Sequence, residues 1–444
     1  MKKTMKTMLA FVAGAMALSA CNNEDILNES ENNGGAKLVT LTAYQEGDDA
    51  TRAAIDGTDN TKINWTASDA IKVFGTSASA EYTTPNDLTP STSASFTGEA
   101  VTGAAYALYP YQSSATNISG VITAEVPMTQ YAVAGSFDPK AALMVGQVNA
   151  GSVQFKNVMS YVKVTIPSDM TNCKQVVLKA KDAWTTVAGK VKITASTGAW
   201  AETTAKEGQA FVRLVPTSPA TTLEAGKSYY IAILPQTMAT GFELIFNDND
   251  VIKVKQASNS VTFARNTTKK LAAFSDFTYT VGTVSAGSIT MADRNIGVGG
   301  TGTTVPTGAD AYGDYFAWGA LRPAYTKKPA SGTTLTDLYW SDGFTASHVP
   351  STFTDIASML WGGKWRMPTN TEWNNNTSNS SVKGLPLAGY YDGTYLSRAG
   401  GNGYYWSSTP CGDGAYCLGT YGDFAYVYNS SRYYGSSVRP VLAQ

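Results

Sequence analysis

The chain is 444 residues long, enough for roughly two to four domains with cores of their own. Lysine and arginine number 33 against 34 aspartates and glutamates, a net charge of −1, which argues against a nucleic-acid surface or a polybasic membrane patch. There is one histidine, His348, and no cysteine pair at zinc-finger spacing, so no ordinary zinc site, metal or cofactor is expected.

Residues 1–20 read as a signal peptide: Lys2, Lys3 and Lys6 form a basic start and Met8 to Leu18 an apolar core. That core is too short for a membrane helix, and no other segment approaches the ~20 apolar residues such a helix needs. Leu18-Ser19-Ala20-Cys21 resembles a lipobox, which implies cleavage before Cys21 and lipid attachment to it. The following Asn22-Asn23-Glu24-Asp25 resembles the surface-export signal of outer-membrane lipoproteins in gut-type Gram-negative bacteria, implying an outer-membrane location facing out. Residues 21–35 are polar and asparagine-rich, as a solvated tether would be.

Strand patterns begin at Lys37. In "KLVTLTAY" (Lys37–Tyr44), Val39, Leu41 and Ala43 alternate with Leu38 and Thr40, the period of a strand with one buried face. A loop containing Arg52 follows, then "INWTASDAIKVF", with Trp65, Val73 and Phe74 expected to point inward. These blocks, with "YALYPYQ" (Tyr106–Gln112), "VPMTQ" (Val126–Gln130), "GSFDPKAALMVG" (Gly135–Gly146), "VQFKNVMSYVKVTI" (Val153–Ile166) and "YYIAILPQ" (Tyr229–Gln236), resemble the fimbrillins, subunits of type V pili. The resemblance implies two tandem transthyretin-like β-sandwich domains, at 36–166 and 167–277. It also implies proteolytic processing after Arg52, removal of the first strand, and filling of the groove by a strand from the next pilus subunit. Residues 278–288, small and polar, read as a linker.

The last part is organised around Trp361-Gly-Gly-Lys-Trp365-Arg-Met-Pro-Thr369-Asn-Thr-Glu372-Trp373. The two glycines stop a short helix expected from about Asp355 to Trp361, and Thr369 with Glu372 forms a capping box that starts another. With "DRNIG" (Asp293–Gly297), "YGDYFAWG" (Tyr312–Gly319), "GYYWSS" (Gly403–Ser408) and "GSSVRPV" (Gly435–Val441), this motif resembles C-type-lectin-like modules related to the formylglycine-generating-enzyme fold. The implied fold for residues 289–444 is an α+β C-type-lectin-like domain, so the whole chain is expected to be mainly β.

Binding residues are expected on the aromatic, asparagine-rich stretches Leu387–Trp406 and Tyr421–Ser437, where tyrosine faces and planar polar groups suit sugar rings or protein loops. Asp392, Asn402, Tyr404 and Arg432 are the candidate contacts, about half of the tyrosines being assigned to the core. The carboxylate and amide motifs of calcium-dependent lectins are absent, so no calcium site is expected. Cys411 and Cys417 lie six apart in an oxidising compartment and are candidates for a disulfide or a pair of free thiols. Cysteines five apart in formylglycine-generating enzymes work with copper, a remote alternative for this pair. Cys173 reads as a buried small apolar residue.

The expected function is a pilus tip adhesin on the cell surface, not an enzyme. The chain ends soon after the last family block, with no spare strand to donate, hence the tip. Its partners would be other pilus subunits and a glycan or a host or bacterial surface protein. The alternative is a non-polymerising outer-membrane lipoprotein that binds glycans.

Overall fold

The computed structural model describes residues 37–46, 64–182, 184–204, 207–323 and 343–444. Cys21, Arg52, the signal peptide and the tether lie outside the described residues. The protein is mainly β, in several sheets with a few short helices.

The first strand, Leu38–Gln45, has Leu41 and Ala43 buried, as its alternation predicts. It runs antiparallel to Ser93–Glu99 on one side and parallel to Ser152–Asn157 on the other. The sheet continues through Met144–Asn149, Tyr106–Tyr109, Ala70–Phe74 and Ser79–Thr83 and closes on Ser93–Glu99 as a seven-stranded barrel. Where two facing sheets were expected, closure gives every strand of this sheet a neighbour on both sides. Trp65 fills the middle, its ring edge-on to Phe96 and Tyr109 at 5.1 Å and to Phe155 at 5.5 Å.

A six-stranded sheet follows, in the order Tyr279–Thr280, Val251–Ala257, Phe242–Asp248, Cys173–Ala180, Phe211–Val215, Thr129–Tyr131. Thr129–Tyr131 and Val121–Val126 precede Ile166 in sequence, yet they pair with Phe211–Val215 and Ala188–Thr194, which lie beyond it. Strands from both sides of Ile166 therefore share sheets, and a single apolar cluster runs from Leu41 to Phe263.

This sheet is covered on both faces, which explains the near-continuous apolar run "KQVVLKA". Val176 and Leu178 face the first cluster, whereas Val177, with its neighbours Ile245 and Val254, joins a second cluster containing Trp318, Trp361 and Trp365. The C-terminal region thus docks on the sheet's second face. Polar ties fix the docking: Asn247 Nδ2 donates to the Trp361 carbonyl (2.7 Å) and Gln175 Nε2 to that of Met359 (3.0 Å). Trp365 Nε1 donates to the Asp250 carbonyl (2.7 Å) and Lys364 N to the Asp250 carboxylate (2.9 Å). Arg322 Nη1 adds bonds to Thr186 Oγ1 and the Gly208 carbonyl, both 2.9 Å. The stretch expected to be a linker belongs to this junction: Tyr279–Thr280 ends the six-stranded sheet, Tyr279 is buried, and Thr283–Ala286 opens the next sheet.

The central motif forms as its residues predict. Asp355 caps the helix Ile356–Leu360, and Gly362 and Gly363 follow at φ +64° and +59°. Thr369 and Glu372 complete a capping box on Asn370–Asn376, while Arg366 grips the same carboxylate at 2.8 and 2.6 Å. Among the described residues two small sheets and the short hairpin Tyr390–Asp392/Tyr395–Ser397 complete the region. One runs Thr283–Ala286, Ile289–Ala292, Val441–Leu442, Trp365–Arg366; the other runs Tyr315–Phe316, Ser436–Ser437, Gly403–Cys411, Gly414–Tyr421, Phe424–Ser431. Val441–Leu442 lies inside its sheet, paired on both sides.

Candidate functional site

The strand Phe424–Ser431 forms the edge of its sheet and alternates Phe424, Tyr426 and Tyr428 on one face. Its other face turns Ala425 and Val427 onto a buried cluster around Trp373 and Tyr405. Tyr426 sits across from Gly419, where a Cβ would meet its ring at 2.9 Å. Only glycine at 419 lets this ring lie down against the sheet, leaving its outer face to solvent.

Six tyrosine rings then run in a chain. Tyr426 and Tyr428 are 5.5 Å apart, Tyr428 and Tyr404 6.2 Å, and Tyr404 and Tyr390 5.0 Å. Tyr390 and Tyr434 are 5.1 Å apart, and Tyr434 and Tyr433 4.8 Å. Tyr426 is 46% exposed, and Tyr421 and Phe424, paired at the hairpin end, are 58% and 70% exposed. The inner rings anchor this surface and the outer ones present it.

Residues 369–441 match a family model described as Domain of unknown function (DUF8237). The matched span carries every ring of the tyrosine chain. No curated protein matches the sequence. Among solved structures, a candidate cell adhesion protein from Bacteroides ovatus aligns at 17% identity over 51% of this chain and 89% of its own, with a TM-score of 0.31. Another, from Bacteroides uniformis, aligns at 17% identity over 53% and 94%, with a TM-score of 0.30. A fimbrial protein from Bacteroides ovatus aligns at 13% identity over 92% and 100%, with a TM-score of 0.25. The chain thus has structural similarity to Bacteroides cell adhesion and fimbrial proteins, but scores of this size establish no shared fold or role.

The four residues singled out from sequence are not one cluster of exposed contacts. Tyr404 is buried and anchors the tyrosine chain from beneath, burial pushing its hydroxyl pKa up. Asp392 is exposed at the end of the short hairpin Tyr390–Asp392/Tyr395–Ser397, and its charge acts on Tyr434. Asn402 is half-buried and its carbonyl accepts from Gly389 N at 2.7 Å. Arg432 holds the hairpin end together, donating to the Gly414 and Gly412 carbonyls at 2.8 and 2.9 Å with its guanidinium 4.6 Å from the Trp318 ring. It also borders an open groove of about 520 Å³ with Asp413, Asn429 and Tyr433, so groove and tyrosine chain meet at Tyr433. The signal for Tyr426 and Phe424 was present in the sequence, as alternation along a strand opposite a glycine.

Of the two alternatives for Cys411 and Cys417, a disulfide or free thiols, the structure has free thiols. Cys411 pairs across from Gly414 at the hairpin turn, while Cys417 is buried opposite Trp406. Burial pushes the Cys417 thiol up to about 12, the reverse of what a reactive thiolate needs. Cys173 is likewise buried and raised to about 12. Among the described residues no group of three His, Cys, Asp or Glu side chains is arranged to hold a metal ion.

Proposed function

We propose that this chain is a surface adhesion subunit of a pilus, a strand-accepting β body carrying a tyrosine-faced binding module. The observation that carries the reading is the seat of the first strand. Leu38–Tyr44 is paired along one edge and Thr42–Gln45 along the other, and the stretch containing Arg52 follows in sequence. Cutting after Arg52 and withdrawing the strand would bare two strand edges and the seats of Leu41 and Ala43. A strand from another subunit could then enter, main-chain bonds supplying affinity and alternate side chains the fit. Neutral tyrosine faces with polar tips favour a glycan or a protein loop as the ligand.

One observation favours the second reading, a lipid-anchored receptor that keeps its first strand. Glu46, at the strand's end, holds Arg265 through both carboxylate oxygens at 2.5 and 2.8 Å and lies 3.7 Å from Lys156. This pair resists withdrawal of the strand.

The test cuts the folded chain with an arginine-specific protease and supplies a labelled peptide spelling residues 37–46. We expect the label to enter the barrel after the cut and not before it. A cut chain that takes up no label would overturn strand acceptance.

A further inference from the structure

Where the C-terminal region docks on the six-stranded sheet, one amine faces two carboxyl groups. Lys179 Nζ lies 3.6 Å from Glu243 Oε2 and 3.8 Å from Asp314 Oδ2. The three side chains keep 15%, 12% and 14% of their accessibility. Lys179 and Glu243 are direct cross-strand partners, and Phe211 sits across from Lys179 on the other side. Asp314 comes from the docked region, just before Tyr315–Phe316. Gln256 Nε2 donates to Glu243 Oε1 at 2.8 Å, which holds the other carboxylate oxygen toward the amine. Gly297, at φ +82°, makes room for Asp314: a Cβ there would fall 2.2 Å from its carboxyl carbon. The apolar residues Val177, Phe211, Ile245 and Phe316, neighbours of these side chains along and across the strands, belong to the buried cluster beneath the docked region.

As a plain ion cluster this arrangement contributes little, because taking three charged groups largely out of water offsets most of their mutual attraction. As a reaction site each group has a task. We propose that Lys179 and Asp314 condense to an isopeptide bond that fastens the C-terminal region to the β body, with Glu243 as the proton carrier.

Burial works to lower the Lys179 pKa, but the charges of Glu243 and Asp314 outweigh it and the amine rests protonated. Glu243 takes one proton from the ammonium, and the freed amine attacks the Asp314 carboxyl carbon. Glu243 returns that proton to an Asp314 oxygen, which leaves as water with a second proton from the nitrogen. One C–N bond forms and one C–O bond breaks. Glu243 ends as it began, and no oxidant or co-reactant is needed. Proximity supplies the drive, since a fixed amine and carboxyl in a largely buried site behave as at very high concentration. A chain that bears load between a surface and a ligand would gain a bond that docking contacts alone cannot supply.

The test is the denatured mass of the purified chain, followed by peptide mapping. We expect the chain to be lighter than its sequence by one water, trypsin to fail after Lys179, and one branched peptide to join Lys179 with Asp314. Lys179→Arg, which keeps the charge but cannot condense, should show the full mass. Asp314→Asn should lose ammonia in place of water. Full mass in the unsubstituted chain, with ordinary cleavage after Lys179, would overturn the bond whatever the variants do. If the bond persists in folded Glu243→Gln, the carrier role falls. Should that variant not fold, the Lys179→Arg comparison still decides the bond.

Discussion

Tyr426 owes its exposed face to a residue on the neighbouring strand. Gly419→Ala would place a methyl carbon 2.9 Å from the ring and force it to lift. Ligand capture should therefore fall in both Gly419→Ala and Tyr426→Ala while the melting temperature barely moves, because the rim of the site carries little of the core. Equal capture by all three proteins in a glycan and host-protein screen would move the site elsewhere. Glu372 answers to pH. Burial alone would raise its carboxyl, but Arg366 and the Thr369 bonds outweigh that and hold it below 4.5. A carboxyl lowered in the folded state stabilises above its unfolded pKa, and that contribution drains away as pH falls through the folded value. Glu372→Gln keeps the capping reach but loses the ion pair with Arg366, so it should cost up to about 1 kcal/mol at neutral pH, and the cost should shrink in acid. Denaturant titrations at neutral and acid pH read this directly; a cost independent of pH would assign it to packing.

The first strand is the element with the most at stake. Leu41 faces the barrel interior, and Leu41→Ala should destabilise by about 2–5 kcal/mol, the range for emptying a buried leucine site. Gln45 points the other way energetically: it is buried, and among the described residues neither of its side-chain polar atoms has a hydrogen-bond partner. Replacing it with leucine removes the penalty of an unsatisfied amide, about 1–3 kcal/mol, so Gln45→Leu should melt higher. On the strand-acceptance reading the same change should slow loss of the strand after cleavage at Arg52. The docking element is equally specific. Gly363 turns at φ +59°, and a Cβ there would lie 2.0 Å from Asp250 Oδ1. Gly363→Ala should free the C-terminal region to move, seen as faster amide exchange at Trp361 and Trp365.

Across the whole molecule, what could be read from the sequence was local. The alternation of the first strand, the glycine helix stop and the Thr369–Glu372 capping box are set by neighbours a few residues away, and they form as read. What could not be read was long-range pairing. Nothing in residues 121–131 tells that they will pair beyond Ile166, and a barrel and a sandwich share one alternation pattern. The tryptophans of the central motif were legible as packing residues, but not that Gln175, Asn247 and Asp250 would receive them. At the candidate site, alternation does not say which positions turn inward: Tyr404 is buried as an anchor and Arg432 braces the hairpin end, because inward and outward positions trade places with one residue of register.

The proposed adhesive subunit gives up its first strand, and the N-terminus and mass of the protein recovered from the cell surface test this. A mature chain beginning at Ala53 without lipid is the expected result. A chain beginning at lipidated Cys21 with residues 37–46 intact would contradict it and make the protein a standing surface receptor.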